Sequence, residues 1–304
     1  MRESLDPLTT LRQRIAALET SRPVEARGRV PTGHAALDAA LGGGFARGCV
    51  HELFGGGVED AGAGSAFGLM LARLAAREAG DDGEVSGAVM RPVLWLRTAG
   101  ASRMGGMPYG PGLVELGMDP ADMLLGTMAD EAMLLRAAVD ALRCPELGAL
   151  VMECWGMPRL LDLTASRRLA LAAEESGVMA ILLMNGAEPA PSAAETRWRV
   201  HAAPSVPLPG NAPGMSAFDI TLLRRRAGRD GMAWRIMWEG ARGQFVEWGA
   251  GENGRDGTYG HGMDPAGGDD AAGAAGRAAG GGGASLSGAV VPLSAVRSPA
   301  DRAA

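Results

Sequence analysis

Apolar and polar positions alternate in blocks along this chain, and each block has its own period. Leu8, Leu11, Ile15 and Leu18 recur at three- and four-residue spacing with Arg12, Arg14 and Glu19 off the stripe. Residues 7–20 are therefore predicted to form an amphipathic helix, stopped at Ser21-Arg22-Pro23. Thr32-Gly33 opens a second, short helix carrying Leu37 and Leu41, which ends at Gly42-Gly43-Gly44. Five continuous apolar runs follow, at 49–54, 92–96, 122–128, 148–154 and 178–184, and read as strands. Between them, 65–79, 130–143 and 157–176 carry helical spacing, while 99–112 reads as a Gly/Met/Pro loop. Continuous apolar strands separated by amphipathic helices predict a mostly parallel sheet covered on both faces, an α/β fold. After Asn185 the period drops to two: 196–202, 218–226 and 231–240 alternate and predict antiparallel strands that finish the sheet, with a turn at 227–230.

The two ends of the chain read differently from the middle. From residue 250 onward the chain is Gly, Ala, Asp and Ser with almost no large apolar groups, a composition expected to stay disordered. Within it, 290–296 (VVPLSAV) is either a stray apolar segment or a short docking motif. The expected organisation is an N-terminal helix (1–25), one α/β domain (26–249) and a Gly/Ala-rich tail (250–304).

Composition narrows the chemistry. A chain of 304 residues that is 47% hydrophobic can bury a sizeable core, and a net charge of -6 argues against a generic polyanion binder. Every basic residue is arginine, so mechanisms that need a lysine ammonium from this chain are excluded. Cys49, Cys144 and Cys154 form no CxxC pair and read as free thiols of a reduced cytosolic protein. The histidines (His34, His51, His201, His261) are scattered and give no metal site local support. The N-terminus lacks an apolar leader core and no run approaches a membrane span, so a cytoplasmic protein with no membrane contact is expected.

One segment imitates a phosphate cradle. The strand at 49–54 runs directly into GGGVEDAGAGSAFG, which begins at Gly55, and then a helix, the context in which backbone N–H groups wrap phosphates and a lysine grips the terminal one. With Gly57 and Gly62 as the two spaced glycines, Ala63 holds the lysine position and Gly64 that of the magnesium-binding hydroxyl. Sliding the frame so that Gly64 is the last glycine puts Ser65 at the lysine position and Ala66 after it. Neither register works, and Glu59 and Asp60 would oppose a triphosphate. A vestigial turn is expected, with no cofactor, metal or catalytic residue.

Residues 30–55 (VPTGHAALDAALGGGFARGCVHELFG) resemble the segment leading into the P-loop of RecA-type recombinases. Thr32-Gly33, Leu37-Asp38, Leu41-Gly42 and Glu52-Leu53-Phe54-Gly55 carry the likeness. It continues at 116–125 (LGMDPADMLL), at 148–154 (GALVMEC) in the place of the Walker B strand, and at 178–185. The departures are specific. Glu153 stands for the Walker B aspartate, and Arg97-Thr98-Ala99 stands where recombinases carry a catalytic glutamate. The stretch after Asn185 (GAEPAPSAAE) is short and without a base where they have a mobile DNA-binding loop. This combination resembles the ImuA family of RecA-like accessory proteins, as do the leading LTTLRQRIAALE helix, the TRWRV strand and the LLRRRAGRDGMAWRI hairpin. The resemblance implies a RecA-like core and a role in translesion synthesis after DNA damage. It also implies contacts with an ImuB-like protein and an error-prone polymerase, with RecA itself a further candidate. Two other readings stay open: an ATPase with an atypical site, and an SOS-associated inhibitor of cell division.

Arginines crowd the C-terminal strands: Arg197, Arg199, Arg224, Arg225, Arg226, Arg229, Arg235 and Arg242 outnumber Asp219, Asp230 and Glu239. Trp198, Trp234, Trp238 and Trp248 lie among them. The region is either a solvated edge, where arginine discourages aberrant pairing, or a contact surface for an acidic partner or a phosphate backbone. These arginines and Trp238 are the candidate contact residues. The 102–112 loop is a candidate lid remnant, and the N-terminal helix could pack on its own domain or reach a RecA-like neighbour.

Overall fold

Strands form where the chain is continuously apolar. The structure, a computed structural model, describes residues 28–57, 59–77, 90–226 and 228–249. The predicted helix at 7–20, the tail from 250 and the apolar segment at 290–296 lie outside the described residues, all of which belong to one compact unit, Met1–Thr258. The elements in chain order are β1 (Arg29–Val30), α1 (Ala35–Leu41), β2 (Phe45–Ala46), β3 (Val50–Gly55) and α2 (Ala61–Ala76). Then come β4 (Val93–Thr98), α3 (Ala99–Gly105), α4 (Gly110–Glu115), β5 (Met123–Met128), α5 (Glu131–Leu142), β6 (Ala149–Trp155), α6 (Leu163–Ser176) and β7 (Met179–Asn185). The last four are β8 (Thr196–Ala203), β9 (Ala217–Arg225), β10 (Ala233–Glu239) and β11 (Gln244–Glu247).

Nine strands form one sheet in the order β11-β10-β9-β8-β3-β7-β6-β4-β5. From β8 to β5 all neighbours are parallel, and β8 through β11 are successively antiparallel. This is the expected architecture, a mostly parallel sheet flanked by helices and ending in antiparallel strands. One face packs Leu53, Ile181, Leu183 and Trp198 against Phe67, Met70 and Leu71 of α2. The other packs Val50, Phe54, Leu150, Met152 and Leu182 against Leu134 and Leu142 of α5 and Leu169 of α6. Fully buried aliphatic and aromatic side chains of this size each contribute about 1.5–3 kcal/mol.

Three local features differ from the sequence reading. The 99–112 stretch holds two short helices: Thr98 Oγ1 accepts from the Ala101 amide at 3.2 Å to start α3, and Pro111 lies in the first turn of α4. Helix α2 begins four residues before the expected start, because its glycines sit inside the helix and let it approach the sheet. A Cβ on Gly64 would lie 3.1 Å from Leu183 Cδ1, and one on Gly68 would lie 3.4 Å from Leu53 Cδ1. Strand β11, too short to show a period, pairs with β10 and places Phe245 against Phe67 and Trp238 at ring distances of 5.2 and 4.9 Å.

The motif residues before β3 also have structural work. Asp38 Oδ1 accepts from the Thr32 amide and hydroxyl at 2.8 and 2.7 Å, and Oδ2 accepts from the Gly33 amide at 3.1 Å. Gly33 has φ 91°, and a Cβ there would lie 2.7 Å from Gln244 Cβ, so the turn requires glycine. The fully buried His51 is held at both ring nitrogens. Trp198 Nε1 donates to Thr196 Oγ1 at 2.7 Å, that hydroxyl lies 2.7 Å from His51 Nδ1, and His51 Nε2 lies 2.9 Å from the Ala46 carbonyl. The Ala46 carbonyl calls for a proton on Nε2, and the Thr196 hydroxyl can donate to a bare Nδ1. Burial, partly opposed by the Ala46 bond and reinforced by Arg29, pushes its pKa down to about 4.

Candidate functional site

Ligands of open α/β sheets sit beyond the C-terminal ends of the parallel strands. There β3 ends at Gly55, a short loop follows, and α2 starts at Ala61. Gly62, Ala63, Gly64 and Ser65 are therefore helical, and the two registers considered above place the motif two and four residues too late. The strand end selects Gly55 as the first glycine, which puts Asp60 where the cradle needs its last glycine, Ala61 at the lysine position and Gly62 at the hydroxyl position. Gly57 remains in the loop. The signal for this frame was present in the sequence, since Gly55 ends the apolar run.

Acidic side chains occupy the mouth of the loop. Asp60 Oδ1 accepts from the Ala202 amide at 2.9 Å, and Oδ2 lies 2.7 Å from His201 Nδ1. A side chain on Gly56 would collide with the Asp60 carboxylate, and a Cβ on Gly57 would lie 2.7 Å from Glu59 Oε2. Partial burial pushes the Asp60 carboxyl up, but the bonds from Ala202 and His201 outweigh it and hold it below the usual carboxylate range. At the helix N-terminus where a phosphate would need positive potential, the chain fixes a negative charge of its own. Beneath the loop the fully buried Asn185 amide lies between Gly55 and Gly64, with no hydrogen-bond partner for either side-chain atom.

The second half of the site joins two residues that the sequence reading treated separately. Strands β4 and β6 are neighbours with Arg97 and Glu153 in register. Arg97 Nη2 lies 3.1 Å from Glu153 Oε2, with the side chains 2% and 1% exposed. Trp95 Nε1 donates to the same oxygen at 2.9 Å. The guanidinium also donates to the Gly106 and Ala101 carbonyls at 2.8 and 3.1 Å, tying it to α3. Gly105 closes over the pair: a Cβ there would lie 3.0 Å from Glu153 Oε1. Burial pushes the Glu153 carboxyl up, opposed by the Arg97 charge and the Trp95 bond. The acid in the Walker B-like position is thus neutralised from within the sheet.

The segment between β7 and β8 is pinned at several points. The Glu195 amide donates to Val50 O and the Ala193 amide to Ser166 Oγ, both at 2.8 Å. Arg197 reaches Ser192 Oγ at 2.8 Å, and its Nε lies 2.8 Å from Glu52 Oε2. Arg199 holds Glu188 with both terminal nitrogens, at 3.2 and 2.8 Å.

The candidate contact residues do not form one surface. Trp238 is 2% exposed, packs in the core and donates to the Leu116 carbonyl at 3.1 Å, so it is not a contact residue. Arg197 is buried in its pair with Glu52, and Arg225 donates to the Ala40 and Leu41 carbonyls at 2.7 and 3.0 Å, closing the C-terminus of α1. Both are structural, because alternation alone could not show which arginines face an internal acceptor. Arg235 pairs with Asp219 through two bonds of 2.7 and 2.8 Å, and Arg242 reaches Glu239 at 3.5 Å. Arg224, Arg226 and Arg229 are exposed and pair with no described carboxylate. Among the described residues no cluster of His, Cys, Asp and Glu could hold a metal, and no helix is long and apolar enough to cross a membrane.

Comparison with known proteins bears on this arrangement. No family model matches the chain. Among solved structures, the RadB recombinase superposes with a TM-score of 0.47 at 17% identity, covering 72% of this chain and 99% of that one. Among curated proteins, Protein ImuA from two strains of Caulobacter vibrioides is 33% identical over 228 residues, 68% of this chain and 85% of the relative. On that identity and coverage, the chain belongs to the ImuA family.

Proposed function

We propose that this chain is a non-catalytic RecA-like accessory protein of error-prone translesion DNA synthesis in the SOS response. It acts in the cytoplasm through contacts with an ImuB-type polymerase-like partner and an error-prone polymerase, with RecA as a further contact. Membership of the ImuA family supports the cellular role. The observation that carries the non-catalytic part is the Arg97–Glu153 pair. A carboxylate that holds a metal or activates water must offer its lone pairs to it. Here one Glu153 oxygen serves Arg97 and Trp95, while the other is buried beside Gly105 without a hydrogen-bond partner, shut off from the solvent a metal or water would come from. The Asp60 carboxylate at the loop mouth and Ala61 in the lysine position act in the same direction, by repelling a triphosphate and offering no cation to it.

Isothermal titration of the full chain with ATP and magnesium tests this directly. No saturable binding is expected, and micromolar binding with turnover would replace the accessory reading with an ATPase. In damaged cells, deletion of the chain is expected to abolish damage-induced mutagenesis, and affinity purification to recover a polymerase-like partner. Recovery of a tubulin-like partner with unchanged mutagenesis would favour inhibition of cell division instead.

A further inference from the structure

The arginines of the antiparallel strands divide into two sets. Arg197, Arg199, Arg235 and Arg242 each pair with a carboxylate, and Arg225 spends its donors on two carbonyls. Arg224, Arg226 and Arg229 stand exposed around the β9–β10 turn. A bulge between Arg197 and Trp198 on the β8–β9 ladder sets Arg224 directly opposite Arg197. Like charges in opposed positions on neighbouring strands destabilise the pair. Glu52, 1% exposed, pairs directly with Arg197, while Arg224 acts on it only through its charge and makes no ion pair of its own. Asp230, the one carboxylate in the turn, pairs with none of the three. Among the described residues, no carboxylate makes an ion pair with Arg224, Arg226 or Arg229.

We infer that the Arg224–Arg226–Arg229 corner is the docking surface for a carboxylate-rich segment of a partner protein. The inference rests on the reading of this chain as one that acts through protein contacts, and names the chemistry of one such contact. Guanidinium forks match carboxylates in paired geometry, as Arg199–Glu188 and Arg235–Asp219 do within the chain. Nucleic acid fits the corner less well. Single strands are held by aromatic stacking as well as charge, and the tryptophans of these strands are turned away from it. Trp198 and Trp238 are buried, and Trp234 is half-buried with its ring 6.0 Å from that of Trp198.

The test uses the full chain and a fluorescent peptide of alternating Glu and Asp, followed by anisotropy at an ionic strength of about 0.05 M, where surface charge is weakly screened. The wild-type chain is expected to bind it. The Arg224→Glu, Arg226→Glu, Arg229→Glu triple variant should bind at least about ten-fold more weakly, and the Arg242→Glu control within about two-fold of wild type. The corresponding triple glutamine variant should fall between them, and circular dichroism of each variant checks the fold. No binding, equal binding by both triple variants, or preference for an oligothymidylate with the same arginine dependence would overturn the proposal. In cells, deletion that abolishes mutagenesis while the triple variant leaves it intact would remove this surface and keep the accessory role.

Discussion

At the C-terminal ends of the parallel strands, charge is enclosed. Arg97 meets Glu153 inside the sheet, and Asp60 is held by His201 and the Ala202 amide at the loop mouth. At the opposite end, where β8 begins and β9 turns into β10, Arg224, Arg226 and Arg229 are left open. In a nucleotide-hydrolysing α/β protein the first end would be the reactive one, with unspent carboxylates and bare loop amides. Here Glu153 and Asp60 at that end are held by the chain's own side chains, while three exposed arginines gather at the other. A fold can keep its strand–loop–helix scaffold while its reactive end turns into core, because a buried ion pair holds strands in register as well as a working site does.

Breaking the enclosed pair should have the largest effect. Arg97→Ala leaves Glu153 buried without its counter-ion, and denaturant titration should show a loss of about 3–5 kcal/mol. Replacing both partners, Arg97→Met with Glu153→Leu, should recover most of that loss, since two apolar groups leave no orphaned charge. If the single variant is instead near neutral, the enclosed end is more open to water than its geometry implies.

Acid should come next. The folded-state pKa of His51 is about 4, below the ordinary value of 6.5. The unfolded chain therefore binds the proton first as pH falls, and stability contributed by neutral His51 is complete above about pH 6.5 and is lost toward pH 4. That shift corresponds to about 3 kcal/mol between the two limits. His51→Gln should flatten the stability profile across that window, measured as the denaturation midpoint against pH.

Smaller changes sharpen the contrast. Asp60→Ala removes the acceptor for the Ala202 amide and for His201, and a loss of about 1 kcal/mol is expected in the same assay. The triple glutamate variant of Arg224, Arg226 and Arg229 should change stability by less than about 0.5 kcal/mol, because those side chains are exposed and unpaired. A large destabilisation there would show that the open corner is structural after all.

The strands were legible because a buried parallel strand must be apolar on both faces, and 92–96, 148–154 and 178–184 are. The change of period after Asn185 marked the antiparallel strands for the same reason. Helix α2 was read four residues short, since glycine suits a loop by its freedom and a helix only where a neighbour must come close, and the neighbour was not visible. Strand β11 has four residues, too few for a period. The arginine reading failed at Trp238, Arg197 and Arg225 because alternation assigns a face but not what lies across it.

The sequence by itself determined the layered sheet, the missing lysine and the family likeness, since these follow from residue type and local spacing. Only the tertiary structure decided that Arg97 and Glu153 cancel one another, that Asp60 is held by the Ala202 amide and His201, and which arginines of the antiparallel strands remain open. Each of those depends on which strands lie side by side. Residues 56 positions apart meet only once the sheet order is set, and a charge is spent or free according to what it meets.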